Sequence, residues 1–554
     1  MRTLGLVLLA AIVSAPAYSQ SDTFFSEVME IRVTNVDVIV TGRDGKPVTG
    51  LTREDFELYE DGVRKDISNF LEIRGDLQAA LTPATEDGKP LAAADDIRRR
   101  DITIFIDNVA LHPLRRNVIL PHLRTFLAES VRPGDTVAII VSGHSLKLAL
   151  EPTSNRAAME AAVDELAKHV TVSTGGDQLR EDFHRAIEQL IRAYKDRGEL
   201  PPWSQGIAEA RMYAMRLSHD IRRRVEALKA VLSSRRGVDG RKVLVYLTEA
   251  LPQNPAEAEF MYLDSIRSEF NEVNSSALAE GREFEMPHLV SEVVEAANSS
   301  GVTLYPIDAA GKDSGMMNRD ASVNVRTTPS GAVTQGTMLQ TLRSMAGQTG
   351  GMALEGSSNW KLAFDTISND LETYYSLGYR SDGPRQDRMK NIQVKLKNKR
   401  LNVRTRNAVI ERTVTSEMQD AVSANLFRSA RDNDLAIKAV AGGPQPKDAE
   451  AVVIPVTITI PMDKLTLLPE GTDLTGRFSI FAAFLRKDGA VSKVAQAPQA
   501  FRFPAESLPR RKEITFKLDV TTDANTNGIS VGVMDEVSRA TGFASVKVPG
   551  SASE

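Results

Sequence analysis

Three side chains able to do chemistry stand at the ends of apolar runs. Asp107 closes the run containing Ile102, Ile104, Phe105 and Ile106; Ser142 follows Val137 to Val141; Glu249 comes just after Val243 to Leu247. Such runs suit parallel strands buried on both faces. Ligands of parallel sheets bind beyond the strand C-termini, so all three residues fall at the edge where a site is expected. Gly143-His144-Ser145-Leu146 follows the second run, as a hydrolase nucleophile elbow would. The elbow also needs Gly at 147 and a helix directly afterwards. The chain has Lys147 there, and Lys147 to Glu151 reads as a strand, which argues against a hydrolase built on Ser145. The seven His residues show no zinc-protease spacing, and Ala310-Gly311-Lys312-Asp313 lacks the upstream glycine and the hydroxyl of a phosphate loop. Asp523-Ala524-Asn525-Thr526-Asn527-Gly528 carries the opening donors and glycine of a calcium loop, but position twelve is Met534. An Asn-Gly hairpin turn accounts for the same residues. No catalytic residue and no enzyme activity is expected.

The elements that must position these residues alternate. Residues 101–373 read as strands Ile102 to Asp107, Val137 to Val141, Lys147 to Glu151, Val243 to Leu247 and Val302 to Ile307, with a short strand Gly351 to Leu354. Between them lie helices over Arg115 to Val131, Ala157 to Ala167, Phe183 to Tyr194, Ala208 to Leu232, Leu289 to Ala297, Met338 to Ala346 and Trp360 to Leu371. That alternation predicts a doubly wound α/β domain. Residues 23–76 and 374–412 read instead as short strands with Asp-Gly and Pro/Gly turns. Each piece is too small for its own core, so the two are expected to pair, leaving the α/β domain inserted in one β-sandwich. Residues 77–100 read as a linker, 413–449 as a helical linker, and 450–550 as a C-terminal all-β sandwich. The helix Ala208 to Leu232 carries Arg211, Arg216, Arg222, Arg223, Arg224 and Lys229, diluted by Glu209, Asp220 and Glu226, and reads as a solvated face. Pro201-Pro202-Trp203 before it reads as an insertion placed to cover the sheet edge.

Composition narrows the function classes. The 554 residues include 68 Lys+Arg against 73 Asp+Glu, and the net charge of -5 gives no reason to expect a nucleic-acid partner. Zero Cys excludes disulfides, thiolate metal sites and cysteine catalysis. Met1-Arg2, the apolar run Leu4 to Val13 and the small residues Ala15-Pro16-Ala17 and Ala17-Tyr18-Ser19 read as a secretory signal over residues 1–20. No later segment is apolar enough for a membrane helix. The expectation is an exported bacterial protein, periplasmic or extracellular, because export without disulfides suits a bacterium better than a eukaryote.

Ile104-Phe105-Ile106-Asp107, Pro133-Gly134-Asp135, Val137 to Val141 and Val243-Leu244-Val245-Tyr246-Leu247-Thr248-Glu249 resemble a von Willebrand factor type A domain. The flanks are similar to a bacterial family of secreted proteins carrying such a domain. The matching residues are Val36 to Val40, Asp44-Gly45-Lys46-Pro47-Val48, Asp55-Phe56-Glu57-Leu58, Glu60-Asp61-Gly62, Tyr374 to Tyr379 and Val403 to Arg406. The resemblance implies protein binding or adhesion at the C-terminal edge of the sheet, through Mg²⁺ in a metal-ion-dependent adhesion site. That site begins Asp-x-Ser-x-Ser and adds a Thr and an Asp from two further loops. This chain departs from the pattern: Val109 and Leu111 replace both serines, and Glu249 stands where an Asp is usual. What remains is a degenerate site of Asp107, Thr174 and Glu249, assisted by Asn108 or Asp177, with Mg²⁺ held weakly or not at all. Asp107 is expected at the rim, with an unidentified protein partner docking there. If metal binding is lost, the alternatives are an Asp107 that caps a helix, a solvated Glu249, and a metal-independent structural or scaffold role in an exported complex.

Overall fold

A computed structural model describes residues 33–549 apart from 75–98, 144–145, 169–174, 237, 239, 250, 310–328, 355–359, 382–385, 427–432, 449–450, 487–490, 511 and 524. The signal reading of residues 1–20, Ser145 and Thr174 lie outside the described residues. The chain is a mixed α/β protein with several sheets.

The first strands are β1 (Val33–Thr41), β2 (Phe56–Glu60), β3 (Val63–Lys65) and β4 (Ile67–Ile73). The central region follows: β5 (Arg100–Asp107), α1 (Pro113–Ser130), β6 (Thr136–Ser142), β7 (Leu146–Thr153), α2 (Arg156–Lys168), α3 (Gly175–Lys195), α4 (Trp203–Ser234) and β8 (Arg241–Thr248). It continues through α5 (Glu257–Ser265), α6 (Ala277–Gly281), α7 (His288–Ser300), β9 (Val302–Asp308), α8 (Pro329–Gln348) and α9 (Trp360–Glu372). The five strands make one sheet in the order β7-β6-β5-β8-β9; β6, β5, β8 and β9 run parallel and β7 is an antiparallel edge.

Every residue of β5, β6 and β9 is buried, as runs without polar alternation require when both faces are covered. Ile102, Ile104, Val137, Ile139, Val243 and Val245 pack on one face with α1, α2 and α9. Phe105, Ile140, Leu244 and Tyr246 pack on the other with α4 and α7. The predicted strand Gly351 to Leu354 reduces to a single parallel bridge between Leu354 and Ile307. There a Cβ on Gly351 would sit 1.9 Å from the Leu304 carbonyl oxygen, so only glycine allows that approach.

Next come β10 (Tyr374–Arg380), β11 (Met389–Leu396), β12 (Asn402–Thr405) and β13 (Ala408–Ile410). They interleave with the first four strands in two sheets, ordered β12-β1-β10-β4 and β13-β11-β2-β3. Val36, Val38, Leu58, Tyr375, Leu377, Ile392 and Val394 fill the space between them. Helix α10 (Val414–Ala424) follows, and its Asp420 pairs with Arg236 beyond α4. Residues 438–547 form antiparallel sheets around Ile454, Val456, Phe478, Ile480, Val531 and Val533. In the calcium-loop candidate, Asp523 accepts from the Asn525 amide at 2.8 Å and pairs with Arg486 at 3.2 Å. Those contacts make it an Asx turn, but not the expected Asn-Gly hairpin: the strands Glu513–Thr522 and Thr526–Asp535 on either side pair in different sheets, and Asn527 and Gly528 lie within the second.

Two helices that periodicity did not reveal, α5 and α6, join α3 and the first half of α4 around their own apolar cluster. Phe183, Ile187, Trp203, Tyr213, Phe260 and Phe270 form its centre. The second half of α4, Ile221 to Leu232, packs on the sheet instead. Helix α4 feeds β8 at its start, so the helix runs back across the sheet and its N-terminal half projects past the C-terminal edge. From Arg224 to Trp203 is about 30 Å at 1.5 Å per residue.

Candidate functional site

Asp107 ends β5, the middle strand, and Thr248 ends its neighbour β8. After Asp107 the chain turns sharply: the Ala110 and Leu111 amides both donate to the Asp107 carbonyl, at 3.1 and 2.8 Å. The Asp107 side chain does not cap α1. His112 does, with Nδ1 accepting from the Leu114 amide at 3.3 Å.

The sequence places Asp107 at an open rim. The structure corrects this: the residue is 0% exposed. Its Oδ2 accepts from Arg224 Nε at 2.8 Å, from the Tyr246 hydroxyl at 2.8 Å and from Thr248 Oγ1 at 3.3 Å. Arg224 Nη2 also donates to Thr248 Oγ1 at 3.1 Å. Arg224 lies on α4, 117 residues along the chain from Asp107. It does not belong to a solvated face; it is buried. Burial works against its charge, but Asp107 and Tyr246 together outweigh that and hold the guanidinium above its ordinary pKa. Burial, reinforced by the same carboxylate, pushes the Tyr246 hydroxyl up.

Glu249 is likewise engaged. Its Oε1 accepts from the His112 amide at 2.6 Å, and its Oε2 pairs with Arg115 on α1. The carboxylate therefore sits at the N-terminus of α1, where the helix dipole favours a negative charge. It is not the solvated group that the sequence alternative supposed. Burial pushes the Glu249 carboxyl above its ordinary value, against the Arg115 charge and the His112 amide, which pull it down. With the folded pKa raised, the stability contributed by Glu249 is complete below the unfolded value of about 4.3. It is lost as pH rises through the folded value. Glu249→Gln cannot titrate and is expected to gain on the wild type as pH rises above about 4, until the folded carboxyl has ionised. Melting temperatures of both proteins across that range check the sign; a gap that stays constant or widens in favour of the wild type counts against it.

Mg²⁺ requires six oxygen ligands in octahedral array, and the described residues do not fit it. One oxygen of Asp107 and both oxygens of Glu249 already accept from arginines and other donors. The side chains of Val109 and Leu111 carry no ligand atoms. At this edge, among the described residues, Asp107 Oδ1 and Asn108 Oδ1 are the side-chain oxygens buried without a hydrogen-bond partner. Among the described residues no cluster of three or more His, Asp and Glu is placed to hold a metal ion. The positive charge beside Asp107 comes from Arg224. Sequence reasoning named this arginine but gave it no site, since a helix face of basic residues looks the same whether one of them points inward or none does.

No family model matches the chain, and no curated protein does. Among solved structures, proximal thread matrix protein 1 from the mussel byssus is 11% identical, with 55% of this chain and 48% of that one covered at a TM-score of 0.22. The chain thus spans about half the length of that protein. A von Willebrand factor type A protein from Catenulispora acidiphila is 9% identical, covering 89% and 72% at a TM-score of 0.22. The three N-terminal domains of the type V pili tip protein Mfa5 from Porphyromonas gingivalis are 8% identical, covering 93% and 77% at a TM-score of 0.25. Overlap at that level transfers neither a site nor an activity. Among the described residues no helix is long and apolar enough to cross a membrane.

Proposed function

We propose that this is an exported protein-recognition component with a doubly wound, type-A-like domain that works without a metal ion. The observation carrying this reading is the ion pair between Arg224 and Asp107. In a metal-dependent site the aspartate at this strand end faces a divalent cation, whose open position takes a partner's carboxylate. Here a guanidinium tethered to α4 supplies the charge, and it has no open coordination position to offer. The loss of both loop serines and the capture of Glu249 by Arg115 point the same way. Recognition then falls to the outer surfaces of the helices over the edge and to the two β modules. A scaffold role within an exported complex is the same chemistry with a permanent partner.

The test is calorimetry on the full chain with Mg²⁺ and Mn²⁺. No saturable heat is expected. Saturable binding that disappears in Asp107→Ala would overturn the metal-independent reading.

A further inference from the structure

The basic residues of α4 are not equivalent. Arg211 pairs with Glu280 and Glu283, Arg223 with Asp220, Arg224 with Asp107, and Lys229 with Glu226 and Glu292. Arg216 and Arg222 are exposed and have no ion pair or side-chain hydrogen bond among the described residues. On the same face stand Met212 and Met215, 43% and 56% exposed. Positions 212, 215, 216, 219 and 222 follow the three- and four-residue steps of one helix face. They form a stripe about 15 Å long, with its two free guanidinium groups about 9 Å apart along the axis.

This stripe lies outward of the residue that fills the cation position, on the helix that roofs the sheet edge. Methionine surfaces adapt to varied apolar partners, and guanidinium forks select carboxylates. The chain carries a net charge of -5, yet this stripe presents two arginines to solvent with no acidic partner among the described residues. Two arginines give little hold on an anionic membrane, where each adds only about 1 kcal/mol. They are likewise too few for a phosphate backbone, which is bound by many such contacts. We infer that the face of α4 running from Met212 to Arg222 docks an acidic protein segment, its apolar side chains on the methionines and its carboxylates on Arg216 and Arg222. This rests on the recognition reading above and names its surface and its partner's chemistry.

The test places a photo-crosslinking residue, p-benzoylphenylalanine, at Met215 of the full chain in the cell that exports it. A control carries the same group at Val440, which is 66% exposed in the C-terminal β region. Crosslinked peptides are read by mass spectrometry. The expected result is an adduct at position 215, absent at 440, on a segment with an excess of Asp and Glu. It should fall at least tenfold in Arg216→Glu/Arg222→Glu, while the melting temperature of that variant stays at the wild-type value. An adduct to lipid, to a second copy of this chain or to a segment without acidic excess overturns the inference. So does no adduct at 215, or an adduct yield indifferent to charge reversal. A protein adduct at 440 alone would leave the recognition reading standing and remove this surface from it.

Discussion

Arg224→Ala is expected to lower the stability of the five-stranded parallel-sheet region by about 3–5 kcal/mol, the usual consequence of removing one partner of a buried ion pair. The cause is what remains. Asp107 is fully buried, its Oδ1 already lacks a partner, and only the Tyr246 and Thr248 hydroxyls would be left for its charge. Because the chain has several cores, an unfolding midpoint is a coarse readout that does not say which region lost stability. Hydrogen exchange at the β5 and β8 amides is the better one. At about 1.4 kcal/mol per tenfold, protection should fall a hundredfold or more, while amides of the C-terminal strand Asp473–Arg486 keep theirs. The double variant Arg224→Leu/Asp107→Asn removes both charges and should recover much of the loss, since an uncharged pair avoids the stranded carboxylate. If the single variant exchanges like the wild type, or the double is worse than the single, the pair does not hold the site as argued.

The sequence makes this site only half legible, for a physical reason. Ile102 to Ile106 and Val243 to Leu247 announce buried strands because every side chain there must be apolar, a local property that periodicity captures. Asp107 and Glu249 follow from those strands by position alone. Neither run says what faces the carboxylates. Arg224 reaches Asp107 across 117 residues and Arg115 reaches Glu249 across 134. No local pattern encodes such a contact, and each arginine resembles its exposed neighbours. The Asn-Gly hairpin expected at Asp523 to Gly528 is not there: the turn at Asp523 links strands of two different sheets, and Asn527 and Gly528 lie within the second strand, because strand pairing is set by distant residues and not by the local Asn-Gly signal. Helices α5 and α6 were not legible either, because they are short and bury their apolar residues against one another and α4 rather than against the sheet.

The opposite end of the sheet carries the second large expected effect. Arg404 on β12 forks onto Asp370 of α9, Nη1 to Oδ2 at 2.8 Å and Nη2 to Oδ1 at 2.7 Å. The Tyr305 hydroxyl of β9 donates to Asp370 Oδ2 at 3.1 Å, and Arg241 of β8 donates to the Asp370 carbonyl at 2.8 Å. Arg241 also lies 3.9 Å from the centre of the Tyr374 ring on β10. One buried carboxylate thus joins the sheet's last helix to the strands interleaved from both chain segments. Burial opposes the Arg404 charge, but its bonds to Asp370 hold it above its ordinary pKa. Asp370→Ala would leave that guanidinium and the Tyr305 hydroxyl facing a void, at a cost of about 3–5 kcal/mol. The loss should be directional. Strands β1, β10 and β12 should exchange faster than β5 and β8, because both bonds to Arg404 of β12 are lost while only one side-chain bond, from Tyr305, is lost on the side of the parallel sheet. Arg404→Leu added to Asp370→Ala should restore part of the protection, giving a coupling energy outside the few tenths of a kcal/mol seen for independent sites. Equal loss across both sets of strands, or strict additivity, would mean that Asp370 serves its own helix and that the sheet β12-β1-β10-β4 is held to the parallel sheet elsewhere.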